Sequence, residues 1–276
     1  MINREWNKQM SIVIKLIKGD CLDKMKDIAD GSIDAVITDI PYGTTACKWD
    51  TAIPFEPMWN QLKRITKKNG AIVLFGSQPF TSALVMSNIK MFKYEWIWDK
   101  MKGSGSLLAK KRPLKSHENI LIFCKTNTIY IPQKEISKVE NRRDFNRRNR
   151  KEIKKIKSDI YGTVPGYIDV DVFDLLRHPK TIIQISSQAN ELNQGKRLHP
   201  TQKPVSLIEY LIKTYTNEGE TVLDFTSGSF TTAIACLNTK RNFIGIEKDE
   251  HYFQIGKERI NKHIKTLDYT PEIYVE

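Results

Sequence analysis

Apolar positions along the first 125 residues switch between two spacings, that of strands and that of helices. Residues 12–17 form a short apolar run closed by Gly19 and Asp20, which predicts a strand and a turn. Leu22, Met25 and Ile28 follow at helical spacing. Residues 33–38 read as a buried strand ending in Asp39-Ile40-Pro41-Tyr42. Phe55, Met58, Trp59, Leu62 and Ile65 share one helix face, with Pro54 near its start and Asn69-Gly70 expected to stop it. Residues 71–75 predict another strand. Phe92, Tyr94, Trp96 and Trp98 alternate as on a half-buried strand, and residues 120–123 predict one more.

This rhythm fails between 125 and about 198, a basic stretch interrupted by Pro132, Pro165 and Pro179. Order returns with a helix over 204–215 opened by proline, a strand over 221–223 and a helix over 231–237. A strand over 242–246 then ends at Glu247, and a last helix runs over 249–263. Alternating strands and helices predict an α/β fold with a mostly parallel, doubly wound sheet. Ligands of such sheets bind beyond the carboxyl ends of the strands, where each motif below falls. The chain thus divides into residues 1–125, an insertion over 126–198, and residues 199–276.

Composition adds a few exclusions. The chain has 276 residues, 40% of them apolar, enough for one large domain or a domain with an insertion. No run approaches the ~20 apolar residues of a membrane span, and residues 1–10 lack the apolar core of a secretory signal. A cytoplasmic protein with no membrane partner is expected. Cys21, Cys47, Cys124 and Cys236 form no Cys-x-x-Cys and no Cys/His ligand spacing, so reduced thiols and no metal are expected. The net charge of +12 favours a polyanionic partner, and its placement is uneven. Residues 141–157 hold five Arg and four Lys against Asp144 and Glu152, a net +7. Arg142, Arg143, Arg147, Arg148 and Arg150 are therefore candidate nucleic-acid contacts, the alternative being a solvated charged helix or arm.

Asp39-Ile40-Pro41-Tyr42 is the sharpest chemical signal. An exocyclic amine on a base is a poor nucleophile because its lone pair is delocalised into the ring. A carboxylate accepting one N–H and a carbonyl accepting the other would localise that pair. Asp39 can supply the first and the Ile40 carbonyl the second, with Pro41 holding Ile40 extended. Tyr42 offers a face on which an extruded base stacks. The competing reading is a plain strand-to-turn exit. The second signal is the segment 222–232, a strand, a small-residue loop containing Gly228 and Ser229, and a helix start. Such a loop suits a cofactor, and Glu247 at the next strand end can accept from ribose hydroxyls. Asp20 caps the following helix or accepts from a cofactor amine, and spacing alone does not choose. His199-Pro200-Thr201-Gln202-Lys203-Pro204 is a rigid entry to the helix after it.

In combination these segments resemble the beta group of amino-methyltransferases of restriction–modification type, whose catalytic tetrapeptide precedes the cofactor loop. That tetrapeptide is usually Asp-Pro-Pro-Tyr; Asp39, Pro41 and Tyr42 match it and Ile40 departs. Residues 199–204 resemble the family's segment before the cofactor loop. Asp224, Gly228, Ser229, Thr231 and Thr232 agree with the loop itself. Phe225, Thr226 and Phe230 depart from it, and Phe230 sets a bulky side chain where the family has glycine. The resemblance implies a seven-stranded methyltransferase sheet, S-adenosylmethionine as cofactor and double-stranded DNA as partner. It further implies target recognition by the insertion and methyl transfer to the amine of an extruded base. Asp39, Ile40, Pro41 and Tyr42 would carry the chemistry; Asp20, Lys203, Asp224, Gly228, Ser229 and Glu247 would hold the cofactor. Asp39 at the first place points to adenine. Cytosine, RNA, protein glutamine or a non-catalytic DNA-binding role stay open, as do a homodimer and a cognate restriction nuclease.

Overall fold

The computed structural model describes residues 11–43, 51–136, 156–158, 162–164, 176–187 and 201–276. Strand β1 (Val13–Lys18) is followed by a short helix α1 (Cys21–Lys24), a 3-10 turn at Met25–Asp27, and β2 (Ile33–Thr38). Helix α2 (Phe55–Ile65) leads into β3 (Thr66–Gly76), and α3 (Phe80–Ser87) into β4 (Phe92–Ser104) and β5 (Lys115–Phe123). Four short strands come next: β6 (Glu135–Ile136), β7 (Ile156–Ser158), β8 (Gly162–Val164) and β9 (Leu176–Arg177). The chain continues through β10 (Ile182–Gln184), α4 (Val205–Tyr215), β11 (Thr221–Asp224) and α5 (Thr231–Thr239). It closes with β12 (Asn242–Glu247), α6 (Glu250–His263) and β13 (Glu272–Val275).

Nine strands form one sheet in the order β10-β4-β5-β3-β2-β11-β12-β1-β13. Its β5 pairs antiparallel with β3 and β4, and every other pairing in the sheet is parallel. The resemblance implies seven strands; β10 and β13 lengthen the sheet at its two edges. Central strands are covered on both faces, which explains their nearly unbroken apolar runs. All six residues of β2 are buried. Successive side chains enter opposite layers: Ile37 and Val73 pack with α4 and α5, whereas Val36, Ile72 and Leu74 pack with α2 and α3. Each such side chain, fully buried, contributes roughly 1.5–3 kcal/mol.

One sequence expectation fails locally. Asn69-Gly70 does not stop α2, which ends at Ile65 where the Thr66 amide donates to the Leu62 carbonyl. The next residues are extra length in β3, since its register on β2 passes from Ile33 opposite Thr66 to Ala35 opposite Ala71. Gly70 is required there because a Cβ would stand 2.7 Å from the Asp34 carbonyl oxygen.

Two compact units emerge, Met1–Ile131 with Thr181–Glu276, and Pro132–Lys180. The second falls within the span expected as an insertion, and in it β6 pairs with β9 and β7 with β8, both antiparallel. No helix among the described residues is long and apolar enough to cross a membrane. Cys21, Cys124 and Cys236 are free and buried, and Cys47 lies outside the described residues. Among the described residues no cluster of His, Cys, Asp or Glu could hold a metal ion.

Candidate active site

Four neighbouring parallel strands, β2, β11, β12 and β1, end at the same edge of the sheet. Beyond their carboxyl ends lies a cavity of about 620 Å³. Asp20, Asp39, Ile40, Pro41, Tyr42, Lys203, Asp224, Gly228, Ser229 and Glu247 all line it. Segments up to 227 residues apart in sequence are thus brought together, most of them by strand order and Lys203 by the entry to α4. Arg142, Arg143, Arg147, Arg148 and Arg150 lie outside the described residues, as do His199 and Pro200.

Asp39 leaves the end of β2 with its carboxylate held from both sides. The Tyr42 hydroxyl donates to Oδ1 at 2.9 Å, and the Lys203 ammonium pairs with Oδ2. The Tyr42 ring rests against Phe80 with centroids 5.0 Å apart. Lys203, itself buried, extends over the Phe75 ring and reaches a second acid, Glu118 Oε2, at 3.5 Å. Glu118 is tied through its other oxygen to Lys100. The charges therefore alternate along Asp39, Lys203, Glu118 and Lys100. Burial pushes the Asp39 carboxyl above its ordinary range; Lys203 pulls it back and Glu118 pushes it up again. Burial disfavours charge on Lys203 too, but Asp39 and Glu118 outweigh it and hold the ammonium above its usual value.

The small-residue loop after β11 is fixed from below. Asp224 is buried and accepts from Thr232 Oγ1 at 2.6 Å, Thr38 Oγ1 at 2.7 Å and the Thr226 amide at 3.2 Å. Burial raises its carboxyl to about 6. The Thr226 hydroxyl lies 2.6 Å from that of Thr38 and donates to the Asp39 carbonyl at 3.1 Å. The departure at Thr226 thus links the loop to the tetrapeptide. At the loop's turn the Gly228 amide donates to Glu247 Oε2 at 2.6 Å, and the Asp249 amide to Oε1 at 2.7 Å. Burial raises the Glu247 carboxyl despite these two donors. Ser229 is held by Gln202 at 3.3 Å, with Arg259 on its carbonyl at 3.1 Å. Asp20 caps α1 through the Leu22 amide at 3.0 Å and pairs with Lys248 at 3.0 Å while facing the cavity.

Phe230 turns away from the cavity. Its backbone is left-handed, φ 56° and ψ 40°, the conformation a glycine would take there. Its ring is fully buried beneath the loop, with centroids 5.7 Å from Phe253 and 6.4 Å from Phe243. Gly256 makes the room, since a Cβ on it would stand 2.1 Å from Phe230 Cδ2. The bulky side chain expected to crowd the loop therefore serves as its anchor in the core.

A profile of the N6/N4 methyltransferase family, described as DNA methylase, matches residues 33–258, which takes in the tetrapeptide, the loop and Glu247. The chain belongs to this family. It is similar to the type II methyltransferase M.HpaI of Haemophilus parainfluenzae, 26% identical over 94% of this chain and 77% of that one. It is also similar to the DNA adenine methyltransferase YhdJ of Escherichia coli K12, 28% identical over 89% and 82%. Among solved structures, an M1.HpyAVI–SAM complex superposes with a TM-score of 0.55 at 23% identity, covering 90% of this chain and 99% of that one. The cytosine-N4-specific PvuII DNA methyltransferase superposes with a TM-score of 0.61 at 16% identity, covering 97% and 98%. These likenesses establish the doubly wound methyltransferase fold.

Three parts of this DNA methylase's site escape the sequence reading. Glu118 reaches Lys203, Thr38 reaches Thr226, and Thr226 reaches the Asp39 carbonyl, each across more than 80 residues with no local pattern to mark the contact. Lys203, which the resemblance gives to the cofactor, has Asp39 and Glu118 as its partners here.

Proposed function

We propose that this amino-methyltransferase acts on adenine at specific sequences in DNA, with S-adenosylmethionine as cofactor. The observation that carries the chemistry is the Asp39 carboxylate, held by Tyr42 and Lys203 on the wall of the cavity that Gly228 and Glu247 share. The residues fit the cofactor. Apolar Ile37, Phe75, Ile208 and Phe225 offer a wall for a ring, and Asp20 and Glu247 supply acceptors for hydroxyls or an amine. Their carboxylates have lone pairs beyond those already used. Phe230 does not obstruct this space. When bound, S-adenosylmethionine supplies an electrophilic methyl group on its sulfonium sulfur.

The chain's own part is to make an amine nucleophilic. Lys203 favours the ionised form of Asp39 against burial and Glu118, which favour the acid. The Asp39 carboxylate then accepts one N–H of the amine and the Ile40 carbonyl the other, which draws the lone pair out of the ring. Tyr42 stacks on the extruded base in this reading, while its hydroxyl holds Asp39. After transfer the nitrogen is cationic and acidic, so its proton leaves without a strong base.

Adenine is favoured by aspartate at the first place of the tetrapeptide and by the named activity of the relative YhdJ. Incubating plasmid DNA with methyl-labelled S-adenosylmethionine and digesting to nucleosides is expected to yield N6-methyladenine. Label in cytosine alone would overturn the choice of base, and label in neither the activity. Asp39→Ala should lower transfer by about 10²–10⁴-fold, the range of a positioned proton acceptor, with cofactor binding retained.

A further inference from the structure

The connection between β4 and β5 belongs to no motif of the family resemblance, yet its placement is specific. Because β5 runs against its neighbours, its first residues lie at the sheet edge where β2 ends: Asn119 pairs with Gly76, the last residue of β3, and His117 with Asp99. The connection therefore rises from the side of Asp39. Glu118 at its root is joined to the site through Lys203 and to the outgoing strand through Lys100. Lys115 on the returning strand is bonded to Ser77, just past β3.

Beyond this root, residues 101–114 are all exposed. They are nonetheless ordered into a shaped tip. Gly105, φ 89°, opens a 3-10 turn at Ser106–Leu108, and the Arg112 amide returns to the Leu108 carbonyl at 3.0 Å. Gly103 lets the two limbs touch, since a Cβ on it would stand 2.9 Å from Leu114 Cβ. Residues 100–115 hold five Lys, one Arg and no acid. Lys102, Lys110, Lys111 and Arg112 make no ion pair among the described residues. At the tip Leu107 is 99% exposed.

We infer that this hairpin is a DNA-gripping arm, its cations on duplex phosphates and Leu107 its apolar contact in a groove beside the extruded base. The inference rests on the reading of the chain as a DNA methyltransferase and concerns a segment separate in sequence from the 126–198 insertion. Exposed cations without a counter-charge on the arm fit a row of phosphates. An apolar residue at the summit of a basic arm fits the wedge by which proteins enter a groove or a base step. The ion chain from Lys100 to Asp39 gives the arm a rigid root at the site, which sets where on the duplex it lands.

The test uses the full chain, plasmid DNA and two variants at exposed positions. Replacing Lys102, Lys110, Lys111 and Arg112 together by Gln should flatten the salt dependence of DNA binding. The slope should fall by about 0.9 for each phosphate no longer neutralised, hence about 3.6 for all four. Calorimetric S-adenosylmethionine binding should be unchanged, which shows that the variant is folded. Leu107→Ala should raise the KM for DNA several-fold with the slope unaltered, because an apolar side chain releases no counterion. An unchanged slope and affinity in the four-site variant overturns the arm, and an unchanged KM in Leu107→Ala overturns its tip. If the wild-type chain neither binds nor methylates plasmid DNA, the functional reading falls and the arm with it; an active wild type with indifferent variants overturns the arm alone.

Discussion

Asp39 is a carboxylate whose usefulness depends on staying charged where burial opposes charge. Among the described residues Lys203, Glu118, Tyr42 and Asp224 face it, and they pull in different directions. Lys203 lowers its pKa and Glu118 raises it. The acid limb of kcat/KM should report this, since transfer needs Asp39 ionised. Glu118→Gln removes a negative neighbour, so the limb should move to lower pH. Lys203→Met removes the positive one, so the limb should move to higher pH and activity at neutral pH should fall. Limbs moving together, or not at all, would dissociate this chain of charges from the chemistry. Phe230 gives a second test at the same scale. Gly256→Ala should cost about 1–3 kcal/mol by urea unfolding because the new methyl meets the ring. In a Phe230→Ala background, itself weakened by about 3–5 kcal/mol, that cost should vanish. Additive losses would mean that the ring and the glycine are not complementary.

At the scale of elements, strands and helices with one clean periodicity were legible in the sequence. β2, α2 and α4 fall where their apolar positions place them, β2 as an unbroken run buried on both faces and the two helices as a single apolar face each. Other elements carried no such signal. α3 exposes Met86 while burying Phe80 and Leu84, which blurs its face. β10 and β13 are three- and four-residue edge strands, defined by partners and not by pattern. The site divides likewise: the tetrapeptide, the loop and Glu247 are contiguous or sit at strand ends, whereas Glu118 and Thr226 acquire meaning only from what lies opposite them. The loop after β11 makes its own prediction. Asp224 holds a proton up to about pH 6 in the folded chain and to about 4 once unfolded. The native state therefore binds the proton more tightly, and this contribution to stability is present at pH 4 and lost as pH rises through 6. Unfolding free energies of the wild type and Asp224→Asn at pH 4 and 7 should show it. Relative to the variant, the wild type should lose stability between the two; a constant difference would contradict the raised pKa.

For the whole molecule the balance of charge decides association with its substrate. The +7 segment over residues 141–157 and the β4–β5 hairpin are separate in sequence and both basic. Neutralising Arg147, Arg148 and Arg150 should weaken DNA binding and flatten its salt dependence by about 0.9 per phosphate. An unaltered slope would make that segment a solvated surface. The reversed direction of β5 has a wider consequence. Had β5 run parallel to β4, the chain would have needed a crossover of a dozen or more residues packed on a face of the sheet. Running back instead, it leaves a connection that no layer covers and no core residue measures. Its length is therefore free to drift. Replacing residues 105–114 with a short turn should spare melting temperature and cofactor affinity alike. The fold thus contains a socket into which outgrowths of different reach can be fitted, each arriving beside Asp39 without disturbing the machinery beneath.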